Sequence, residues 1–379
     1  MTARQLGGTV PPVTNATGWT AEWDGTGARV LFVPVSGARG MGEYARALAL
    51  ATAAVKRWPA MQVHFVVSRQ APYGDSTPFP TTLLPASPTF HTPEVREVTR
   101  TFRPTLVVFD NAGRTAQLKA AATSGARVVY VSSRPKQRFK AFRLGWMRVL
   151  DEHWIAYPEF IAGSLGLFER MKLSMLRRPE VRFLDAVLPP ADDVLADQIL
   201  AKFSVNTDDY VLVVPGGGTD HPGAENAPEI VANAAARLSD GGVPTVLVGV
   251  TPSVSSPELR VAPRMPMAEL AELIRGARVV LSNGGDTLLQ AIASARPSIA
   301  VAIAGDQAHR IDKCVQAGLA QRAALSAEEL AREAARLFRD ESRRAELSAK
   351  LAAANVRNGM EVALEAIGRL SAPPGLSTR

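Results

Sequence analysis

Four segments of this 379-residue chain carry residue types able to do chemistry on a phosphorylated or hydroxylated ligand. Asn283-Gly284-Gly285-Asp286-Thr287 follows the apolar run Val279–Leu281 and precedes an Ala- and Leu-rich stretch, which reads as a strand, a glycine turn and a helix start. The first N–H groups of a helix have no partner within it, so such a turn suits an anion such as a pyrophosphate. Asn283 is either a turn former or a ligand contact. A second strand ends in Pro215-Gly216-Gly217-Gly218-Thr219, where missing side chains let a ligand approach the main chain; the alternative is a plain strand-to-helix loop. Gly218 and Gly223 have Walker spacing, but Ala224-Glu225 stand where Lys and Ser or Thr would be needed, which excludes a P-loop. The other two segments are acidic. Glu43 opens a helix just after the first strand, and Asp110-Asn111 ends a third. Polar residues at strand carboxyl ends of an open α/β sheet line its ligand crevice. Either carboxylate could take a proton from a hydroxyl. Glu43 could instead be an acid favoured by the helix dipole, and Asp110 a loop carboxylate or a cap.

The elements that must position these residues alternate regularly. Strands are expected at Arg29–Val35, Val63–Val67, Thr105–Phe109 and Arg127–Val131, with helices at Glu43–Trp58, Pro93–Phe102 and Ala116–Ser124. Pro72–Pro93, rich in Pro, Thr and Ser, reads as an irregular loop. The pattern changes around Asp185–Asp209, near Pro189-Pro190, and then restarts with strands at Tyr210–Val214, Pro244–Val248, Arg278–Leu281 and Ser298–Ile303. Alternation of this kind predicts parallel, doubly wound sheets. The expected division is an irregular extension over 1–27, a first Rossmann-like domain over 28–187, a second over 188–357, and a terminal helix and tail over 358–379.

Length alone favours two cores. Hydrophobic residues make up 46% of the chain and aromatics 6%, so Ala, Val and Leu must build the interior, as suits helices packed on parallel strands. The single cysteine, Cys314, excludes an internal disulfide framework and reads as a small core residue in a reducing compartment. No apolar run is long enough to span a bilayer and no secretory signal is visible, so a cytoplasmic protein is expected. The five histidines (64, 91, 153, 221 and 309) show no metal-ligand spacing, and no Asp-x-Asp pair is present, so no metal is expected.

The formal net charge is +7, and its distribution matters more than its size. Residues 134–148 hold six basic side chains and no acidic one. Phe139, Phe142 and Trp146 recur at helical spacing, flanked by Lys136, Arg138, Lys140 and Arg143. This reads as a basic amphipathic helix for an anionic membrane surface, or as a core-packed helix with a solvated rim. No RNA- or DNA-binding motif accompanies it, so nucleic acid is not expected as a partner.

Residues 210–320, and more weakly 30–150, resemble the GT-B glycosyltransferases, especially the family of the peptidoglycan enzyme MurG and the related PseG-like proteins. The expected fold is therefore α/β, GT-B, with two Rossmann-like domains facing a central cleft. The resemblance implies a nucleotide-sugar donor, a UDP-sugar by family habit, and inverting hexosyl transfer without a cofactor. It implies that Gly216, Gly217, Gly218 and Thr219 contact the diphosphate, that the backbone at Arg264-Met265 reads the nucleobase, and that Gly284, Gly285, Asp286 and Thr287 form the turn before a ribose-binding helix. Gln290 stands where the family has a ribose-gripping Glu. Asp306 and Gln307 match a pair that touches the donor sugar, although Asp306 could equally cap a helix. Gly40-Met41-Gly42-Glu43 and the following Ala/Leu run, with Arg46, resemble the Gly-His-x-x-Arg segment of PseG-like proteins, with Glu43 in place of His. MurG-like enzymes reach lipid-linked acceptors by docking on membranes, which implies a peripheral position at the inner face of the plasma membrane and a role in cell-envelope glycan synthesis. Three other readings stay open: a sugar-nucleotide epimerase or hydrolase on the same scaffold, a silent binding subunit, and an NADP-dependent oxidoreductase suggested by Gly40-x-Gly42-x-x-Ala45.

Overall fold

A computed structural model describes residues 23–38, 41–216, 226–253, 256–303 and 305–372. The first lobe runs β1 (Arg29–Pro34), α1 (Gly42–Arg57), β2 (Gln62–Ser68), β3 (Thr81–Leu84), α2 (Thr92–Phe102), β4 (Leu106–Asp110), α3 (Thr115–Thr123) and β5 (Arg127–Ser132). It continues through α4 (Pro135–Ala141), α5 (Leu144–Met147), β6 (Glu152–Ile155), α6 (Glu159–Ala162), α7 (Leu167–Leu176) and β7 (Glu180–Phe183). The second lobe opens with α8 (Asp193–Phe203), β8 (Val211–Val214), α9 (Ala227–Asp240), β9 (Thr245–Val248), β10 (Arg260–Ala262) and α10 (Met267–Gly276). Then come β11 (Val279–Asn283), α11 (Asp286–Ala293), β12 (Ser298–Val301), α12 (Gly305–Gln316), β13 (Gln321–Arg322), α13 (Ala327–Arg339), α14 (Glu341–Ala354) and α15 (Gly359–Ser371).

Every strand pairing is parallel. The first sheet is ordered β3-β2-β1-β4-β5-β6-β7 and the second β10-β9-β8-β11-β12-β13. Strands such as Arg29–Pro34 are apolar almost throughout because helices cover both faces of each sheet. In each lobe the order reverses once, between β1 and β4 and between β8 and β11. The helices that follow strands on either side of such a point diverge to opposite faces, which opens a crevice at the strand carboxyl ends.

The sequence reading misses three strands, β3, β6 and the two-residue β13. β3 lies inside the segment read as a loop, where Pro and Thr mask a short edge strand that pairs with β2 from Phe65↔Thr81 to Ser68↔Leu84. β6 follows directly on the basic segment, which is itself broken into α4 and α5. Residues 1–22 of the expected extension lie outside the described residues. Cys314 is fully buried in the core, and burial pushes its thiol up to about 12.

The chain crosses back at its end. Asn358 caps α15 through the Met360 N–H (3.0 Å) and exchanges two hydrogen bonds with the Leu188 backbone (2.9 and 3.1 Å), so the segment between the lobes is clamped to the start of α15. α15 then packs on α1 and β4, with Met360, Ala363, Leu364 and Ile367 in the first-lobe core. The clamp leaves no room at Gly359, where an added Cβ would lie 1.9 Å from the Leu184 carbonyl oxygen. Gly359→Ala is therefore expected to cost about 1–3 kcal/mol through overpacking. Chemical denaturation reads this, and an unchanged midpoint would refute the clamp.

Candidate functional site

Both reversal points open onto one cleft between the lobes, which encloses about 1360 Å³ and is open to solvent. The first lobe contributes Glu43, Arg46, Ser133, Arg134 and Tyr157 to its lining, and the second contributes Gly216, Arg264, Asn283, Asp286 and Gln290.

On the first-lobe side, Glu43 lies in the opening turn of α1, where the helix dipole favours an acid. Its Oε1 accepts from Asn111 Nδ2 at 2.9 Å. Asn111 sits just past β4 with φ of 51° and is itself locked to the end of β5: its Oδ1 accepts from the Ser133 N–H (3.0 Å), and its Nδ2 also meets Ser133 Oγ. The carboxylate is thus oriented by a side chain fixed between the ends of β4 and β5, and it still reaches the cleft.

Asp110 is placed differently from the sequence reading. It is 2% exposed and absent from the cleft lining, and Arg46 holds both of its oxygens, Nε at 2.8 Å and Nη2 at 2.9 Å. Burial raises the Asp110 carboxyl to about 6 while Arg46 pulls the other way. A carboxylate enclosed behind a guanidinium cannot reach a hydroxyl in the cleft, whereas Glu43 lines it. Arg46 goes further and contacts Asp286 of the second lobe, Nη1 to Oδ2, at 3.4 Å. Burial works against its charge, but Asp110, Asp286 and Glu43 outweigh it and push the guanidinium pKa up.

On the second-lobe side, the glycines are explained by the protein's own side chains. Gly216 has φ of 122°, and a Cβ there would fall 2.1 Å from Asn283 Nδ2. A Cβ on Gly284 would meet Ile311 and Gln307 of α12 within 2.9 Å, and one on Gly285 would lie 2.8 Å from Asn283 Oδ1. Asn283 is a turn former here, accepting from the Gly285 N–H at 3.0 Å. Its turn delivers α11 with no side chain capping its amino end, and Gly285, Asp286 and Thr287 line the cleft. Gln290, one turn along, is 3% exposed. Its Nε2 donates to the Val187 carbonyl (3.0 Å) and Met267 Sδ (3.3 Å), leaving a buried Oε1 with no partner.

Gln307 uses Oε1 to accept from the Ile303 N–H at 3.0 Å, which fixes the start of α12. Asp306 remains half exposed and pairs with Arg310 at 3.4 Å. Arg310 also donates to the Gly284 carbonyl and stacks 4.4 Å from the centre of the Tyr157 ring in the opposite lobe. Arg264 reaches Met41 Sδ at 3.4 Å, again across the cleft, and Met265 lines it beside Gly42. Gly40, Gly217, Gly218 and Thr219 lie outside the described residues. Among the described residues no three or more His, Cys, Asp or Glu side chains are grouped to hold a metal ion.

The sequence reading does not single out Arg46, Ser133, Tyr157 or Arg310 as site residues. Arg46 had a legible signal, a cation inside the Ala/Leu run that follows Glu43; the others are brought in only by the fold.

The amphipathic stripe of residues 134–148 is corrected. Phe142 and Trp146 are 3% and 4% exposed, and Trp146 packs edge-on against Tyr130 while donating to Thr115 Oγ1 at 2.9 Å. Arg138 is spent on Glu169 and on the carbonyls of Ala162, Gly163 and Ser164. Phe139 is exposed, with Arg143 over its ring, and exposed Lys136 lies beside it. The large exposed apolar surface continues instead on α7 with Leu167, Phe168, Met171 and Met175. No helix among the described residues is long and apolar enough to cross a membrane.

Solved structures share this two-lobed architecture. Spinosyn forosaminyltransferase SpnP superposes with a TM-score of 0.60 at 14% identity, covering 90% of this chain and 98% of its own. A UDP-glucosyltransferase from Polygonum tinctorium, capable of glucosylating indoxyl, matches at 0.58 and 13% over 90% and 98%. The fold is GT-B. It is not confined to transferases, since a putative UDP-N-acetylglucosamine 2-epimerase from Listeria monocytogenes matches at 0.54 and 13% over 90% and 95%. No protein-family model matches the chain, and no curated protein matches its sequence.

The Gly216–Asn283 contact gives a stability test free of any ligand. Gly216→Ala should cost about 1–3 kcal/mol from left-handed backbone strain and overlap with the Asn283 amide. Adding Asn283→Ala removes the overlap and should return part of that loss. Failure of the second change to help would show that the two residues do not interlock.

Proposed function

We propose that this chain is a GT-B glycosyltransferase that moves a hexose from a nucleotide-sugar, a UDP-sugar, to the hydroxyl of a membrane-associated or lipid-linked acceptor in cell-envelope glycan synthesis. The observation that carries this reading is the opposition of Glu43, at the reversal point of one sheet, to the uncapped amino end of α11, at that of the other. Inverting transfer requires a base on the acceptor side and a receptor for developing phosphate charge on the donor side. Glu43 takes the acceptor proton, the freed oxygen bonds to the anomeric carbon, and the nucleoside diphosphate leaves with the electrons of the broken glycosidic bond. The amides opening α11 stabilise the departing charge without a metal. The unpartnered Gln290 Oε1 is suited to accept from a ribose hydroxyl, a neutral contact in place of a charged one. Fold neighbours with UDP-sugar chemistry in their names support the donor class.

The acceptor's setting is inferred from an exposed apolar surface on the first lobe. Phe139, Leu144, Leu167, Phe168, Met171 and Met175 are 49–74% exposed on successive elements of the first lobe. Lys172 Nζ donates to the Phe142 carbonyl at 3.1 Å, which places α7 against the α4–α5 junction. Exposed Lys136, Arg143, Arg170 and Arg177 border them. Apolar side chains fringed by cations suit an anionic lipid surface, with the protein peripheral to it. The epimerase neighbour keeps open a second reading in which Glu43 acts on the sugar itself; release of free UDP only when acceptor is added separates the two.

A thermal-shift screen of UDP-, GDP- and dTDP-sugars identifies the donor, and stabilisation by a uridine sugar is expected. With that donor, Glu43→Gln should lower kcat by about 10²–10⁴-fold while leaving donor stabilisation intact. Equal turnover by the variant would remove Glu43 from the chemistry. In co-sedimentation, vesicles containing phosphatidylglycerol should retain the protein and pure phosphatidylcholine should not, and Phe168→Glu with Met175→Glu should abolish retention. Retention unaffected by the double variant would exclude α7 as the docking face.

A further inference from the structure

Asp286 is the first residue of α11, so its carboxylate belongs beside the same amides that the donor diphosphate needs. Two negative groups at one helix turn repel each other and compete for its free amides. In the structure the carboxylate is turned away from its own helix: Oδ2 lies 3.4 Å from Arg46 Nη1 in the opposite lobe and packs over Gly42, where an added Cβ would stand 3.5 Å from it. Arg46 is itself buried, 6% exposed, and donates to both carboxylate oxygens of Asp110. The buried Gln290 Oε1, without a partner one turn along α11, marks the same helix as a place where a ligand is expected.

We propose that Arg46 is a positioning residue for donor binding: by pairing with Asp286 across the cleft it withdraws that carboxylate from the amino end of α11 and clears the amides for a diphosphate. This inference rests on the donor reading above. It makes α1 of the acceptor lobe part of the donor site without contact to the donor. It also explains why an acid is tolerated at a helix start that must receive an anion.

Isothermal titration with UDP, and in parallel GDP and dTDP, tests it on the full chain. Asp286→Asn, which keeps the helix and removes the competing charge, should bind the diphosphate several-fold more tightly. Replacing Arg46 should weaken binding by about tenfold, and Asp286→Asn in the same background should restore it, as expected of two coupled sites. Arg46→Met alone strands the Asp110 charge, so the comparison is also made in Arg46→Met/Asp110→Leu, where both buried charges leave together. A purely structural role for Arg46 would give a loss that Asp286→Asn does not restore. Weaker binding by Asp286→Asn alone, or unchanged binding after replacement of Arg46, overturns the proposal while leaving the donor site standing. Failure of the unmodified chain to bind any of the three nucleotides overturns the donor reading and this inference with it.

Discussion

One guanidinium, buried between the carboxylates of two lobes, sets the geometry of this molecule. Arg46 is held by Asp110 behind it, at the end of β4 in its own lobe, and by Asp286 in front, at the start of α11 in the other. A buried ion pair contributes little net stability, because desolvation offsets most of the attraction, yet breaking one partner costs about 3–5 kcal/mol. Such a group acts on register more than on strength. It admits the relative placement of the lobes that satisfies both carboxylates and penalises others. The stacking of Arg310 on Tyr157 and the contact of Arg264 with Met41 lie along the same cleft and act in the same sense.

The segment joining the lobes reports on the same placement. Val187 accepts from Gln290, and Leu188 is bonded twice to Asn358 at the start of α15. The helix that carries a candidate ribose contact is therefore tied to the linker, and the linker to the helix that returns to the first lobe. A movement of one lobe must strain the Gln290 amide or the Asn358 clamp. Gln suits this position better than Glu for a physical reason: a carboxylate has no N–H to offer the Val187 carbonyl, whereas the amide can donate to the linker and leave its oxygen uncommitted.

Much of the fold was legible because parallel strands buried on both faces leave continuous apolar runs, as in β1, β4 and β11. β3 was not legible, since an edge strand of four residues between prolines carries no such run. The glycine turns marked the right places for a different immediate reason. Gly216, Gly284 and Gly285 are small because Asn283, Gln307 and Ile311 occupy the space their side chains would take. A glycine pattern records close approach to the backbone but does not say what approaches. Asp110 shows the converse limit. Its position at a strand end was readable, but its enclosure by Arg46 depended on α1 packing over β1, the neighbour of β4 in the sheet.

The basic segment shows why periodicity alone cannot assign a face. Phe142 and Trp146 have the spacing of a membrane-facing stripe, and a helix packed on a sheet needs that same spacing. The break between α4 and α5 turns those two rings inward, against His153 and Tyr130, and leaves Phe139 outside. α7 escapes the ambiguity because none of its residues is buried. An apolar side chain that finds no core in a helix of ten residues is there for contact with something else or for nothing. Four of them on one short helix, beside Phe139 and Leu144, make the second explanation the weaker one.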